Sequence, residues 1–326
     1  MQRFMVCFAL CFGLYLAGST PLWSRGSPTR QARQLASCDI ARTIGRIESK
    51  WLVECSGMDI SMAERDLLWA VNDSGNGPFL FALGRDGRDR GRLRVTGAAN
   101  RDWEGLATFI WQGKPMILIA DCGDNRQRHP TYTLVVLDEP RLSTERVDDS
   151  ILAQVAWKID FRYPDGSHDA EGVAVDQEAK EVLILTKRDT PPRLFAVPLQ
   201  PDPPGRTATA RMVAAIDGIP EPTAEDRRHP YGRVRSRPTG LDISSDGLRI
   251  VVLTYKHAYL FYRRPGACWK SALERPPIVI ELPLPQNCPE LGQREAICFS
   301  RDDRSLLVTS EGKGARIVER ILSSSD

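Results

Sequence analysis

The chain has 326 residues, with 44 basic and 42 acidic side chains and a formal net charge of +2. So even a balance excludes a dedicated nucleic-acid binder, which concentrates basic charge on one face. The 25 glycines and 23 prolines are spread along the chain, which fits many short strands joined by turns better than a helical protein.

Residues 1–19 read as a secretory signal. Arg3 supplies positive charge, residues 4–17 form an almost unbroken apolar run, and Ala17-Gly18-Ser19 offers small residues at the cleavage positions. The run is shorter than the roughly 20 apolar residues that a membrane span needs. Leu10 before Cys11 is not the small residue of a lipoprotein signal. Nothing downstream is long and apolar enough to cross a bilayer, so the expectation is a soluble, secreted or periplasmic monomer. Residues 20–37, with Arg25, Arg30 and Arg33, read as a linker, and 38–326 as one domain. Cys7 and Cys11 leave with the signal, and six cysteines remain: Cys38, Cys55, Cys122, Cys268, Cys288 and Cys298. An even count in an oxidising compartment permits disulfides without fixing their connectivity. Cys268 and Cys288 flank one expected strand and are the best local pair, and the lack of any C-x-x-C spacing speaks against structural zinc.

From residue 40 onward the chain repeats itself. A polar or small residue, a small residue, an aliphatic one and a small or acidic one lead into a strand five times. The copies are Ser56-Gly57-Met58-Asp59, Glu104-Gly105-Leu106-Ala107, Glu171-Gly172-Val173-Ala174, Thr239-Gly240-Leu241-Asp242 and Glu295-Ala296-Ile297-Cys298. A second apolar strand follows each, at 67–71, 116–120, 182–185, 250–253 and 306–308, and the polar residues beyond it, Asp73, Asp121, Lys187, Tyr255 and Glu311, come 16 or 17 residues after the signature begins. Third strands are expected at 79–83, 133–137, 194–197 and 258–262, and fourth strands at 91–95, 155–161, 210–216 and 278–282. Four-stranded units in series are the sequence form of an all-β propeller. A β-sandwich also has short strands and regular turns, but it gives no reason for a repeated signature at constant spacing. Five copies predict five blades. Six stay open, because the third and fourth copies are 68 residues apart. The last copy lacks room for a fourth strand, and residues 40–48 precede the first signature without a blade of their own. That N-terminal strand is therefore expected to complete the last blade and close the ring.

In such a unit the starts of first strands and the ends of second strands lie on one face, at the mouth of the central channel. The residues gathered there are mostly acidic: Asp73, Asp102, Glu104, Asp121, Asp124, Asp169, Glu171, Glu295 and Glu311, with Asn125, Lys187, Arg188, Tyr255 and Lys256. Like charges raise each other's pKa unless cations intervene. Hard oxygen ligands suit calcium or magnesium, and export favours calcium. Glu104, Asp121, Glu171 and Glu295 are the expected ligands. The competing reading is a structural ion-pair ring in which Lys187, Arg188 and Lys256 neutralise the carboxylates. Asp121-Cys122-Gly123-Asp124-Asn125 and Asn72-Asp73-Ser74-Gly75-Asn76 pack acceptors around a glycine at corresponding positions, as a metal loop or an Asx-turn would. His168 with Asp169 offers an acid, a base or a ligand. Lys187, Arg188, Tyr255 and Lys256 are candidates for holding a small, anionic ligand. The insertion 217–238, with Glu225 and five arginines, is expected over the mouth or as a solvated loop. Contiguous catalytic patterns such as G-x-S-x-G, H-E-x-x-H or a Walker loop are absent from the sequence.

Trp69-Ala70-Val71-Asn72-Asp73-Ser74-Gly75, Asn100-Arg101-Asp102-Trp103-Glu104-Gly105 and Asp121-Cys122-Gly123-Asp124-Asn125 together resemble a family of bacterial secreted propeller proteins. Phe161-Arg162-Tyr163-Pro164-Asp165-Gly166, Asp169-Ala170-Glu171-Gly172, Leu185-Thr186-Lys187-Arg188 and Thr254-Tyr255 extend the resemblance over nearly the whole mature chain. Cys122 departs from it, standing where an aliphatic residue is expected. The family is distantly similar to phytase-like and gluconolactonase-like propellers, some of them calcium-dependent hydrolases. The resemblance implies the architecture first, since function does not travel with fold alone. Two functions follow as expectations: a metal-dependent hydrolase of a phosphoester or lactone, or a non-catalytic propeller binding a ligand or an envelope partner. Cleavage after the signal is expected near Ser19, so N-terminal sequencing of the mature protein should begin close to residue 20; a retained Met1 would overturn the export reading.

Overall fold

The computed structural model describes residues 41–142, 146–147, 151–201, 203–229, 232–283 and 292–323. The signal, the linker, Cys38 and Cys288 lie outside the described residues. Among the described residues no helix is long and apolar enough to cross a membrane.

The chain is nearly all β, laid out as successive antiparallel units in the manner of a β-propeller. The first unit holds β2 (Cys55–Ile60), β3 (Leu67–Asn72), β4 (Phe79–Gly84) and β5 (Asp89–Thr96), hydrogen-bonded in that order. The second holds β6 (Trp103–Trp111), β7 (Lys114–Asp121), β8 (Tyr132–Asp138) and β9 (Leu152–Arg162). In the third, β10 (Ala170–Asp176), β11 (Glu181–Thr186) and β12 (Arg193–Pro198) are followed by the two-residue β13 (Ala208–Thr209) and the edge strand β14 (Arg211–Ala215). The fourth is β15 (Pro238–Ile243), β16 (Arg249–Thr254), β17 (His257–Tyr262) and β18 (Ile278–Glu281), with a one-turn helix α1 (Trp269–Leu273) before its last strand. The final sheet joins β19 (Arg294–Phe299), β20 (Ser305–Ser310) and β21 (Arg316–Ile321) to β1 (Ala41–Arg46), and β1 pairs antiparallel with β21. The innermost strand of each unit packs on those of its neighbours: β2 on β6 and β19, β6 on β10, β10 on β15, and β15 on β19.

The repeated signature has a structural cause. At every copy the ladder between first and second strand slips by one residue, at Cys55/Gly57, Trp103/Gly105, Ala170/Gly172, Pro238/Gly240 and Arg294/Ala296. The skipped residues are Ser56, Glu104, Glu171, Thr239 and Glu295. A bulge leaves its extra residue unpaired and re-aims the side chain. The small residue after it is where inner strands touch. A Cβ on Gly57 would lie 2.7 Å from the Leu106 nitrogen, one on Gly105 2.6 Å from Val173, and one on Gly172 2.7 Å from Leu241. Second strands are apolar on both faces because sheets cover them on both sides; β3, β16 and β20 carry Leu68, Val251 and Leu307 at zero exposure.

The units are joined differently. The start of β9 pairs in parallel with β5 and its end with β13, so one long strand ties three units together at their outer edges. Between the third and fourth units the tie is ionic. Asp176 accepts from Arg263 Nη1 and Trp269 Nε1, both at 2.7 Å, in a buried setting. Breaking a buried pair strands the remaining charge. Asp176→Ala is therefore expected to lower unfolding free energy by about 3–5 kcal/mol in denaturant titration, and Asp176→Asn, which keeps an acceptor, by less.

Candidate functional site

The bulges deliver Glu104, Glu171 and Glu295 to the channel, each at most 4% exposed. Among the described residues one ammonium, that of Lys187, pairs with them. Lys187, at the end of β11, forms an ion pair with Glu171 and sits 5.5 Å from the centre of the Tyr255 ring. Tyr255 donates its hydroxyl to Glu295 Oε1 at 2.8 Å, while Glu295 Oε2 is buried with no hydrogen-bond partner among the described residues. Burial works against the Lys187 ammonium, but Glu171 and Glu295 outweigh it and hold the amine well above its ordinary value. Burial pushes Glu295 up to about 7 despite Lys187, and pushes Glu171 up as well.

Glu104 stands on β6, next to β10 and within reach of the Glu171 and Lys187 charges. Asp73 at the end of β3, Asp102 before β6 and Glu104 each place a carboxylate oxygen within 4.8 Å of the others. Burial, then the charges of Glu171 and Asp73, raise Glu104 well above the carboxylate range. Burial and Asp73 raise Asp102 to about 7, and its Oδ1 is buried without a partner. Two neighbouring loops hold this trio. Asn100 donates to the carbonyls of Asn72 and Asp73, both at 3.0 Å, and accepts from the Trp103 N–H at 3.0 Å. Asp121 Oδ1 accepts the Asp102 N–H at 2.8 Å, and the Gly123 N–H donates to the Asp102 carbonyl at 3.1 Å. A Cβ on Gly123 would lie 2.6 Å from Asp102 Oδ2 and from Glu104 Oε1, so any side chain there would push the two carboxylates from their present positions.

The expected ligands thus separate. Glu104 lies in a three-carboxylate cluster, Glu171 is committed to Lys187, Glu295 is held by Tyr255, and Asp121 positions the Asp102 backbone. Asp73 and Asp102 complete the cluster instead. Their signal in the sequence was loop chemistry, the Asn-Asp and Asn-Arg-Asp runs ahead of a glycine-rich segment.

His168 and Asp169 are bound up in other contacts. The His168 ring nitrogens meet Asp165 at 3.1 Å, Asp189 at 3.2 Å and Arg193 at 3.0 Å, and the ring packs on Tyr163 and Phe195. Asp169 accepts from the Asp124 N–H at 2.7 Å and from Arg188 Nε at 2.6 Å, and Arg188 also donates to Asn125. Lys256 Nζ donates to Asp226 at 2.9 Å. Asp226 belongs to the 217–238 insertion, where Thr223 and Arg235 also hold it. The insertion is latched to the mouth through one carboxylate, with its Arg227, Arg228 and Arg233 left exposed. Cys55, Cys122 and Cys298 are buried free thiols, and Cys268 is an exposed one.

No protein-family profile matches the chain, and no curated protein does. Among solved structures it is similar to a luciferin-regenerating enzyme at 10% identity, over 87% of this chain and 96% of that one, with a TM-score of 0.44. It is also similar to a nidogen/laminin complex structure at 12% identity, over 79% of this chain and 73% of that one, TM-score 0.43. The β-propeller domain of Cps50 (Swd1) from Myceliophteria thermophila shares 12% identity over 83% of this chain and 65% of its own, TM-score 0.36.

Raised carboxylates carry a sign. Between about pH 5 and pH 7 the folded state keeps protons on Asp102 and Glu295 that the unfolded chain has released. The unfolded state then binds fewer protons, so stability falls as pH rises through that window. In metal-chelated buffer the thermal midpoint is expected to drop from pH 5 to 7.5; a midpoint that rises across the window would contradict the assignment.

Proposed function

We propose that the five units are the blades of one exported, five-bladed propeller, closed by β1 in the last blade, and that its channel mouth binds a hard divalent cation. Asp73, Asp102 and Glu104 are the ligands, and calcium is the cation, because an extracytoplasmic site can bind weakly and still be filled. The carrying observation is Glu104. It is 3% exposed, lies within 4.8 Å of two other carboxylates, and has neither a hydrogen bond nor an ion pair among the described residues. An uncompensated buried carboxylate costs several kcal/mol unless it is protonated or meets a cation. With the cation bound, the mouth can receive a small anionic molecule, and Lys187 and Arg188 supply positive charge beside it.

Binding is the reading that the geometry favours, because His168 and Asp169 are saturated with partners. Hydrolysis of a phosphoester or lactone is the second reading, and Glu295 favours it. Buried, with one bare oxygen and a pKa near neutrality, it has the properties of a general acid or base beside a polarising metal.

Thermal unfolding of the wild type with calcium, magnesium or a chelator tests the cation. Calcium is expected to raise the midpoint, by about 2.7 kcal/mol of stability at one hundred times its dissociation constant. Asp102→Asn and Gly123→Ala should each flatten that response, while Glu171→Gln should leave most of it. No shift with any cation, and no heat of binding, would make the mouth an ion-pair ring around Lys187.

A further inference from the structure

The opposite end of the channel holds a second, larger space. A cavity of about 390 Å³ opens where the inner strands end, within the range of small-molecule sites. Its walls mix Ile60, Ile243 and Phe299 with six acidic residues, of which Asp59 and Asp242 lie on the inner strands β2 and β15 without an ion pair among the described residues. Both occupy the fourth position of the signature. The other copies carry Ala107, Ala174 and Cys298 there; Ala107 also lines the cavity, while Ala174 and Cys298 pack into the apolar core between sheets, so Asp59 on β2 and Asp242 on β15 are the fourth-position side chains that bring charge to it.

The neighbouring charges are accounted for. Asp176 and Glu178 are answered by Arg263, Asp303 and Asp246 by Arg249, and Arg301 donates to carbonyls of Ser61, Met62 and Glu64. Asp59 and Asp242 have no cation among the described residues. Asp59 accepts from the Ile60 N–H and from the Thr108 N–H and hydroxyl, at 2.6–3.0 Å. Asp242 accepts from the N–H groups of Ile243 and Phe299, both at 2.7 Å. These bonds clasp first blade to second and fourth to fifth. A carboxylate offers about four acceptor positions, so each aspartate keeps capacity that the clasp does not use. Burial raises both, and each carboxylate penalises the charge of its neighbours; Asp59 stands at about 7.

We infer that this cavity binds a small organic cation, a primary ammonium on a short apolar body, with the ammonium between Asp59 and Asp242 and the body against Ile60, Ile243 and Phe299. An inorganic ion would leave the apolar wall and most of the volume unfilled. An anion or a neutral apolar molecule would leave the two carboxylates unanswered. This site is independent of the cation proposed at the mouth.

The test is calorimetric titration of the full chain near pH 7 with n-butylammonium chloride, n-butanol and potassium chloride, in two buffers of different ionisation enthalpy. Butylammonium should bind once per chain and release protons, because Asp59 must ionise to receive it. Butanol and potassium should give no comparable heat. Asp242→Asn should weaken butylammonium by about tenfold or more, and Glu104→Gln, at the other mouth, should leave it unchanged. The inference fails if butanol or potassium binds as well as the amine, if the amine binds without proton release, or if no amine binds at all. It fails equally if Glu104→Gln removes the binding and Asp242→Asn does not. Proton release is read on the wild type, so the outcome stands even if Asp242→Asn does not fold.

Discussion

Everything at the channel follows from how closely the inner strands approach one another. Gly57, Gly105 and Gly172 sit where a methyl group would run into the next strand, so the chain must be small there. Packing that tight leaves no place on the sheet for the residue before it. The ladder bulges, and the displaced side chain turns to the axis. Ser56, Glu104, Glu171, Thr239 and Glu295 are brought together by a backbone constraint, before any consideration of function. Three of the five are glutamates. A structure that must collect them in low dielectric must also supply positive charge, and Lys187 supplies only one. The shortage of positive charge at the mouth therefore arises from the same contact that shapes the core.

The joints between units show how unequal the ring is. Parallel pairing of β9 with β5 and β13 binds the first three units through backbone hydrogen bonds, which tolerate side-chain change. The later joints depend on individual side chains: Arg263 and Trp269 on Asp176, the Asp242 carboxylate on the Phe299 N–H, and Ser245 on Asp303. Side-chain joints can be lost by one substitution. The insertion that follows β14 falls in this half as well, latched by Asp226 to Lys256 and Arg235. Lys256 follows Tyr255, so the insertion is tied to the segment that also carries the Glu295 partner.

Much of the strand pattern was legible, because buried second strands read as continuous apolar runs at fixed spacing from a glycine. The segment from residue 40 was recognisable as a strand in search of a partner, and β1 does pair with β21. The site was legible only in part. Glu104, Glu171 and Glu295 stand out as members of a repeat, whereas Asp73 and Asp102 lie in loops whose course is set by Asn100 and Trp103. Period and spacing carry no information about such loops; hydrogen bonds between residues 28 apart do. Asp121 resembled a ligand in sequence because acidic residues at strand ends look alike. Its oxygen is taken by a backbone N–H, a distinction visible only in three dimensions. His168 was conspicuous beside two acids, yet the acids that claim it are Asp165 and Asp189, set by a turn and by the edge of β12.

Between the two ends the channel narrows to a space of about 10 Å³ beside Glu171 and Glu295, room for about one water molecule. The ends still share one dielectric medium. Glu295 and Glu171 stand on the mouth side of the waist, and Asp59 and Asp242 on the far side, all four raised by burial before anything else. Buried charges are screened by salt much less than exposed ones, so the carboxylates at each end answer first to their own surroundings: Glu295 to Lys187 and Glu311, Asp242 to Asp59. The two ends present different groups: at the mouth, carboxylate oxygens of Asp73, Asp102 and Glu104 within 4.8 Å of one another; at the far cavity, Asp59 and Asp242 beside the apolar Ile60, Ile243 and Phe299. The same repeated signature thus carries different side chains to different surroundings, at its bulged first position and at its fourth.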